Sequence, residues 1–402
     1  MIVSRSTAIQ RTARVLQLEG LFDVPPAERV ALTWEVMLPL EERNWNIGLI
    51  VGPSGCGKTS IAREVFGPAY TTGFTWPSNK SIVDAFPATM GIKDITLLLS
   101  SVGFSSPPSW VRPFHVLSNG EQFRATLARA LAERPELCVF DEFTSVVDRT
   151  VGKIGSAAVA KTVRRRAAKF VAVTCHDDVL EWLDPDWVFT PATNSFAWRS
   201  LRGRPKIKLE IARVHHSAWK LFAHHHYLSA KLNKAAICFV GFIDERPVAF
   251  QAFLPVVGLV SGFDRRQRMK VHRSVVLPDF QGASIGLAMN EILGAMWRGV
   301  GCRCMISTGH PALIAAMQRN PKWRMNRAPA LGRASSRGEK SGHAISKTRA
   351  RTRLTAGFEY VGEAMESETA AALLDRETPE ITRRMAAIRK VLRGEVRRRA
   401  VS

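Results

Sequence analysis

Gly52-Pro53-Ser54-Gly55-Cys56-Gly57-Lys58-Thr59-Ser60 decides the reading of the first half of this chain. Its glycines let consecutive backbone N–H groups curl around a phosphate chain, while Lys58 reaches the terminal phosphates. Asn46–Val51 before it reads as a strand, and Lys58–Phe66 after it as a helix whose N-terminus faces the anion. On its own the loop says only that a nucleotide binds. Two stretches further out narrow it: Leu117-Ser118-Asn119-Gly120-Glu121-Gln122, and Leu137-Cys138-Val139-Phe140-Asp141-Glu142. The latter is an apolar strand ending in two carboxylates, one placed for magnesium and one to polarise a water. The former opens a helix over Glu121–Glu133, with Phe123, Leu127, Ala130 and Leu131 at helical spacing and Pro135 as its stop. N–H groups and the helix dipole at that end favour an anion.

Phosphate loop, LSxGxQ-like signature and strand-Asp-Glu in this order resemble an ABC-type ATPase, over roughly residues 28–195. The resemblance implies ATP held by Gly52, Pro53, Ser54, Gly55, Cys56, Gly57, Lys58, Thr59 and Ser60. It implies Mg2+ on Thr59 and Asp141, with Glu142 as the hydrolytic base. Phe143-Thr144-Ser145-Val146-Val147-Asp148 is similar to the family's D-loop, with Asp148 at the matching offset. His176 follows the apolar strand Phe170–Thr174, where the family places a switch histidine on the γ-phosphate. Taken alone, His176 would read as a strand-end histidine and the Asp141-Glu142 pair as an acidic helix cap. In the family the signature, here Ser118, Asn119, Gly120, Glu121 and Gln122, grips the γ-phosphate held by the opposite protomer. The expected partner is therefore a second copy of the chain, recruited by ATP.

One departure bears on role. Lys58 and Ser118 stand 60 positions apart, short for a transporter ATPase, whose helical subdomain docks a membrane protein. No glutamine stands for the Q-loop; Asp84, at the end of Trp76–Asp84, is the available substitute. One magnesium ligand is left unassigned.

The chain's 402 residues suit two domains, each long enough for its own core. Net charge is +22, and its placement matters more than its size. Residues 1–200 carry 21 Lys and Arg against 20 Asp and Glu, whereas residues 201–402 carry 36 against 15. A polyanionic partner, nucleic acid, is expected on residues 201–402; a solvated basic surface is the plain alternative. Six cysteines without disulfide or metal spacing suit a reducing cytoplasm. No signal peptide is legible in Met1–Gly20, and the uncharged stretch Ala249–Phe263 is too short for a bilayer and broken by Pro255, Gly258 and Gly262. The expectation is a cytoplasmic protein with no membrane segment of its own.

In the second half, Ala235–Ile243 and Arg246–Leu254 read as two strands about a turn. Then come a strand ending Val275-Val276-Leu277-Pro278-Asp279-Phe280, the loop Gln281-Gly282-Ala283-Ser284-Ile285-Gly286, and a helix. This resembles the acyl-CoA loop of GNAT-type acyltransferases, in which amides at the helix start hold the cofactor's pyrophosphate. Ser284 stands where glycine is commoner. The later strand Cys302–Ser307 and Gly357–Gly362 fall in GNAT order, so the resemblance covers residues 205–365 and implies acetyl-CoA or another acyl-CoA.

His224-His225-His226-Tyr227 leaves three readings open: a metal site, a packing or surface run, and acid–base catalysis by His226 or Tyr227. His-His-Tyr at this place is also similar to the Mom-type proteins of phage, GNAT-like enzymes that modify adenine in DNA. His310-Pro311 reads either as acceptor-side lining or as a helix start.

The expected architecture is α/β: an ABC-type P-loop NTPase domain followed by an α+β GNAT-like domain. The expected boundaries are an N-terminal segment 1–27, ATPase 28–195, basic linker 196–210, GNAT-like domain 211–365 with a basic arm 326–353, and a basic helical tail 366–402. It resembles the ABC ATPases fused to predicted acetyltransferase domains found in archaea and on mobile elements. The function this implies is ATP-gated acyl transfer, or a related modification, on nucleic acid or a protein bound to it. A nucleic-acid-binding ATPase clamp with a non-catalytic second domain is the first alternative, and a transporter ATP-binding subunit the second.

Overall fold

The computed structural model describes residues 1–199, 207–226, 231–256, 267–331 and 354–375. Two compact units emerge, and the chain enters the second one three times.

The first unit opens with a hairpin: β1 (Ile2–Ala8) pairs antiparallel with β2 (Arg29–Glu35) around α1 (Ala13–Phe22). Val3 pairs with Trp34, and the terminal amine of Met1 donates to the Val36 carbonyl at 2.7 Å. The separate segment 1–27 expected from sequence is therefore corrected: its strand is half of this hairpin. Next come β3 (Ile47–Val51), α2 (Lys58–Phe66) and β4 (Tyr70–Thr71). The chain then contributes α3 (Ile92–Ser101) and α4 (Pro107–Trp110) to the second unit, and returns in α5 (Asn119–Glu133). It finishes with β5 (Leu137–Phe140), α6 (Arg149–Arg166), β6 (Lys169–Thr174), α7 (Val179–Leu183), β7 (Trp187–Thr190) and β8 (Ser195–Trp198).

Strand order in the main sheet is β4-β5-β6-β3-β7-β8, parallel throughout except for β8. All five residues of β3 are buried, as a central parallel strand covered on both faces requires. Gly48 within it is demanded by contact, because a Cβ there would lie 2.0 Å from the Trp187 ring. Phe196-Ala197-Trp198, expected as linker, instead form β8, with Phe196 and Trp198 packed on the core around Trp187. Residues 200–206 lie outside the described residues.

The second unit is built on a seven-stranded sheet: β9 (Glu210–Val214), β10 (Ile237–Ile243), β11 (Arg246–Pro255), β12 (Arg268–Val276), β13 (Arg303–Thr308), β14 (Trp323–Ala330) and β15 (Thr355–Tyr360). Between them run α8 (Trp219–Phe222), α9 (Ile285–Gly299) and α10 (Pro311–Gln318), with α11 (Ser367–Leu374) after β15. The order β14-β15-β13-β12-β11-β10-β9 is antiparallel except where β12 meets β13. Those two run parallel and pair only over Arg268↔Arg303, Met269↔Cys304 and Lys270↔Met305. Beyond Lys270, β12 stays with β11 alone, so the sheet splits there. Opposite Ala252 and Phe253 of β11 stand Arg273 and Val271, which leaves His272 as an extra, bulged residue.

On one face α9 buries Met289, Leu293, Met296 and Trp297; Trp297 stacks edge-on against Phe239 and Phe253. On the other, Trp219, Leu221 and Phe222 of α8 pack with Phe250 and Val240. Two further boundaries are corrected. Asn326–Ala330, expected in a basic arm, belong to β14, and Glu210, expected in the linker, begins β9. The rest of that arm, 332–353, and the tail 376–402 lie outside the described residues.

Candidate functional site

In an open parallel sheet a ligand is met at the carboxyl ends of the strands, and the sequence motifs gather there in the first unit. The phosphate loop leaves β3, Asp141 and Glu142 leave β5, and Cys175-His176 leave β6. Lys58 Nζ donates to the carbonyls of Gly52 (2.8 Å) and Pro53 (2.7 Å), which holds its ammonium at the loop. Thr59 Oγ1 donates to Asp141 Oδ2 at 2.9 Å, and the other oxygen, Oδ1, accepts from the Glu142 amide. The hydroxyl and carboxylate expected to hold magnesium thus stand side by side. Two hard oxygen donors suit an ion that keeps several waters and takes phosphate oxygens for the rest. No cluster of three His, Cys, Asp or Glu that could hold a metal occurs among the described residues.

Glu142 sits in left-handed backbone (φ 53°), as does Thr144 (φ 68°), so the turn after β5 is conformationally costly for both residues. Glu142 Oε2 accepts from Ser145 Oγ at 2.7 Å, and its side chain is exposed. His176 Nδ1 lies 3.1 Å from Thr144 Oγ1, tying the β6 histidine to the turn that carries Glu142. Asp148 caps α6 by accepting from the amides of Thr150 and Val151.

The signature begins α5 through a capping box: Ser118 Oγ accepts from the Glu121 amide while Glu121 Oε2 accepts from the Ser118 amide at 3.0 Å. Glu121 is thereby engaged in its own helix start, whereas Ser118 and Asn119 are exposed. Asp84, the available Q-loop substitute, accepts from Ser81 Oγ at 2.5 Å within its own turn.

Two residues that the motifs do not contain also reach this site. Tyr70 OH donates to Asp141 Oδ2 at 2.5 Å, and burial followed by that carboxylate pushes the phenol up to about 12. Trp34, on β2, lies so close over the loop that a Cβ at Gly57 (φ 94°) would fall 2.4 Å from its ring. Glycine at 57 is required twice over, by left-handed backbone and by the indole. A tyrosine or tryptophan carries no signal of this kind in sequence, because each is brought in by a different strand.

The second unit's loop is likewise built around a left-handed residue. Gly282 has φ 94°, Ser284 has φ 66°, and α9 begins directly after it. Serine thus occupies the conformation that glycine adopts freely. Gln281 spends its side chain locally: Nε2 donates to the Val276 carbonyl (3.0 Å) and Oε1 accepts from the Ser105 amide (2.6 Å). Gly282, Ala283, Ile285 and Gly286 complete the loop, and Asn290 Nδ2 donates to the Gly286 carbonyl at 2.6 Å. Ser105 precedes α4, and α3 packs against α10, so the segment before the signature is part of this unit's structure. Trp110 of α4 lies 6.3 Å from the His310 ring, and His310 precedes α10 with Pro311 in its first turn. His226 packs edge-on against Trp219 at 5.6 Å, while the His224 and His225 rings lie 3.7 Å apart, tilted by 44°. Tyr227 lies outside the described residues.

His272, at the bulge beside the split, carries a strongly displaced titration. Burial, then the neighbouring Arg273 guanidinium, push its imidazole down to about 4. It is neutral in the folded chain at pH values where an unfolded histidine, near 6.5, is already protonated. Stability should therefore fall as pH drops through this window, from about 6.5 to 4, and recover as pH rises through it. Denaturant unfolding of the protein and of His272→Gln at pH 7 and pH 4.5 measures it: the variant should lose less. An equal loss in both would remove His272 as the cause.

No protein-family model matches the chain. Among curated proteins it is similar to the zinc import ATP-binding protein ZnuC of Yersinia pestis, 28% identical over 160 residues, 35% of this chain and 62% of that one. ZnuC 1 of Aliivibrio fischeri is 30% identical over 148 residues, 32% of this chain and 57% of its own length. The matched stretch thus spans about three fifths of these relatives. Among solved structures, cbiO1 from Clostridium perfringens, described as part of the ABC transporter complex cbiONQ, aligns with a TM-score of 0.30 and 17% identity, over 37% of this chain and 74% of that one. The sequence similarity, joined to the motif order, supports an ABC-type ATPase domain in this chain. No helix among the described residues is long and apolar enough to cross a membrane.

Proposed function

We propose that the chain binds and hydrolyses MgATP as a homodimer, and that its second unit is a GNAT-like acyl-CoA-dependent transferase acting on nucleic acid or on a protein bound to it. The observation that carries the ATPase half is the convergence of Lys58, Thr59, Asp141, Glu142 and His176 at the ends of β3, β5 and β6. Thr59 and Asp141 would hold magnesium, which would supply charge neutralisation at the phosphates. Glu142 orients water in line with the γ-phosphorus and takes its proton as the bond to the ADP oxygen breaks. His176, fixed by Thr144, faces the γ-phosphate, and Trp34 offers the purine an apolar face. Ser118 and Asn119, exposed at the start of α5, face the γ-phosphate bound by the other copy, with Asn119 supplying its N–H group.

The transferase half is supported by the sheet's split between β12 and β13, by the left-handed loop Gly282–Ser284 feeding α9, and by the bulge at His272. In this reading amides of Gly282–Gly286 hold the pyrophosphate, and His226, Tyr227 or His272 accepts the proton when the acceptor attacks the thioester and the thiolate leaves. Acetyl-CoA or CoA is then expected to raise the melting temperature by several degrees at concentrations well above its Kd. Ala283→Glu or Gly286→Glu should abolish that rise while ATPase activity survives. A full melting shift in both variants, or none in the protein itself, would overturn the cofactor assignment.

The curated relatives favour a second reading, since they are named as import ATP-binding proteins. In that reading the dimer powers a separate membrane protein. A polytopic membrane protein co-purifying in stoichiometric amount from detergent extracts would support it over the transferase.

A further inference from the structure

Register places five cations on one face of the second sheet. Lys270, Met305, Glu359 and Arg324 stand in one row across β12, β13, β15 and β14. Ser307, Gly357 and Arg327 make the neighbouring row, and Arg268 faces Arg303 on the other side. Side chains alternate across a strand, and the register shift between Met325 and Arg327 brings Arg327 back into phase with Arg324, so all of these share a face. Trp297 and Gly294 of α9 pack on the opposite one, against Phe253 and Tyr360.

Glu359 is the single acid in these four strands, and it is already consumed. Arg303 binds it through two bonds of 2.7 Å, and Arg324 adds a third at 3.0 Å. Like charges at Arg268 and Arg303, directly opposite each other, are unfavourable in an isolated sheet. Lys270, Arg324 and Arg327 are exposed, as is Ser307. The aromatic residues of these strands, Trp323, Phe358 and Tyr360, are all buried. A face of cations without rings suits phosphates and offers no platform on which a base could stack. The one apolar residue in these rows, Met305, is half-buried, so the face presents little that would sink into a lipid surface.

We infer that this β12–β15 face is the nucleic-acid contact surface, and that it binds the phosphate backbone with no preference for base sequence. The inference rests on the proposed nucleic-acid role of residues 201–402 and names the surface responsible.

The test uses the full chain, a random-sequence DNA duplex of about 20 base pairs, and binding measured across salt. Lys270→Ala/Arg324→Ala/Arg327→Ala should weaken binding at least about tenfold at low salt and flatten the log–log salt slope by about 3, near one per lost phosphate contact. Lys270→Glu, a single exposed change, should weaken it in the same direction and melt as the parent does. The control removes three basic residues outside this face: Lys220→Ala/Arg298→Ala/Arg319→Ala. If both triple variants weaken binding equally, the effect is net charge and the face is wrong, though the nucleic-acid role stands. No binding by the parent protein overturns both. Marked preference for one duplex sequence, or tight binding to phosphatidylserine vesicles with none to DNA, also overturns the inference.

Discussion

Glu142→Gln is expected to slow ATP turnover by roughly 10²–10⁴-fold, the range for loss of a positioned general base, while ATP still binds. The amide keeps the shape of the side chain and can still meet Ser145 Oγ, which now lies 2.7 Å from Oε2. It cannot accept a proton from water. The neighbouring Thr59–Asp141 contact should be untouched, because Asp141 is held by Thr59, Tyr70 and a backbone amide. With hydrolysis gone, ATP should trap the dimer, visible as a doubled mass by light scattering. Turnover near the parent rate would remove Glu142 as the base.

Ser118→Arg is expected to abolish the ATP-dependent dimer and to cut turnover by roughly 10²–10³-fold, the cost of losing a fixed donor to the transition state. The change also removes the cap that accepts from the Glu121 amide, for about 1 kcal/mol. Phe123, Leu127, Ala130 and Leu131 still bury the helix, so α5 should persist. Ser118→Thr separates the two effects: it keeps the cap oxygen and should keep most activity. An Arg variant that still dimerises with ATP would show that the signature does not face a second copy's phosphate.

The strand–loop–helix at the phosphate site was legible because each part is local. Ile47–Val51 is a continuous apolar run, and Lys58–Phe66 follows directly on the glycine-rich loop. What escaped reading depends on contacts distant in sequence. Residues 2–8 pair with 29–35, yet six of seven residues in each strand are exposed, so neither has a buried face to announce it as a strand. Phe196-Ala197-Trp198 was hidden by the basic residues after it, although its two aromatics alternate as β8 requires. Tyr70 reaches Asp141 and Trp34 reaches Gly57 only once the sheet and hairpin are assembled. The allegiance of α3 and α4 to the second unit is set by contacts such as Ser105 with Gln281, far apart in the chain. A bulge at His272 adds one residue to a nine-residue strand and leaves its composition unremarkable.

ATP turnover per chain should depend on protein concentration. If each site is completed by Ser118 and Asn119 of a second copy, turnover per chain must rise with concentration at the dilute end. It should then level off once the ATP-bound dimer is saturated. Turnover per chain that stays constant down to concentrations where light scattering finds only single chains would contradict the account.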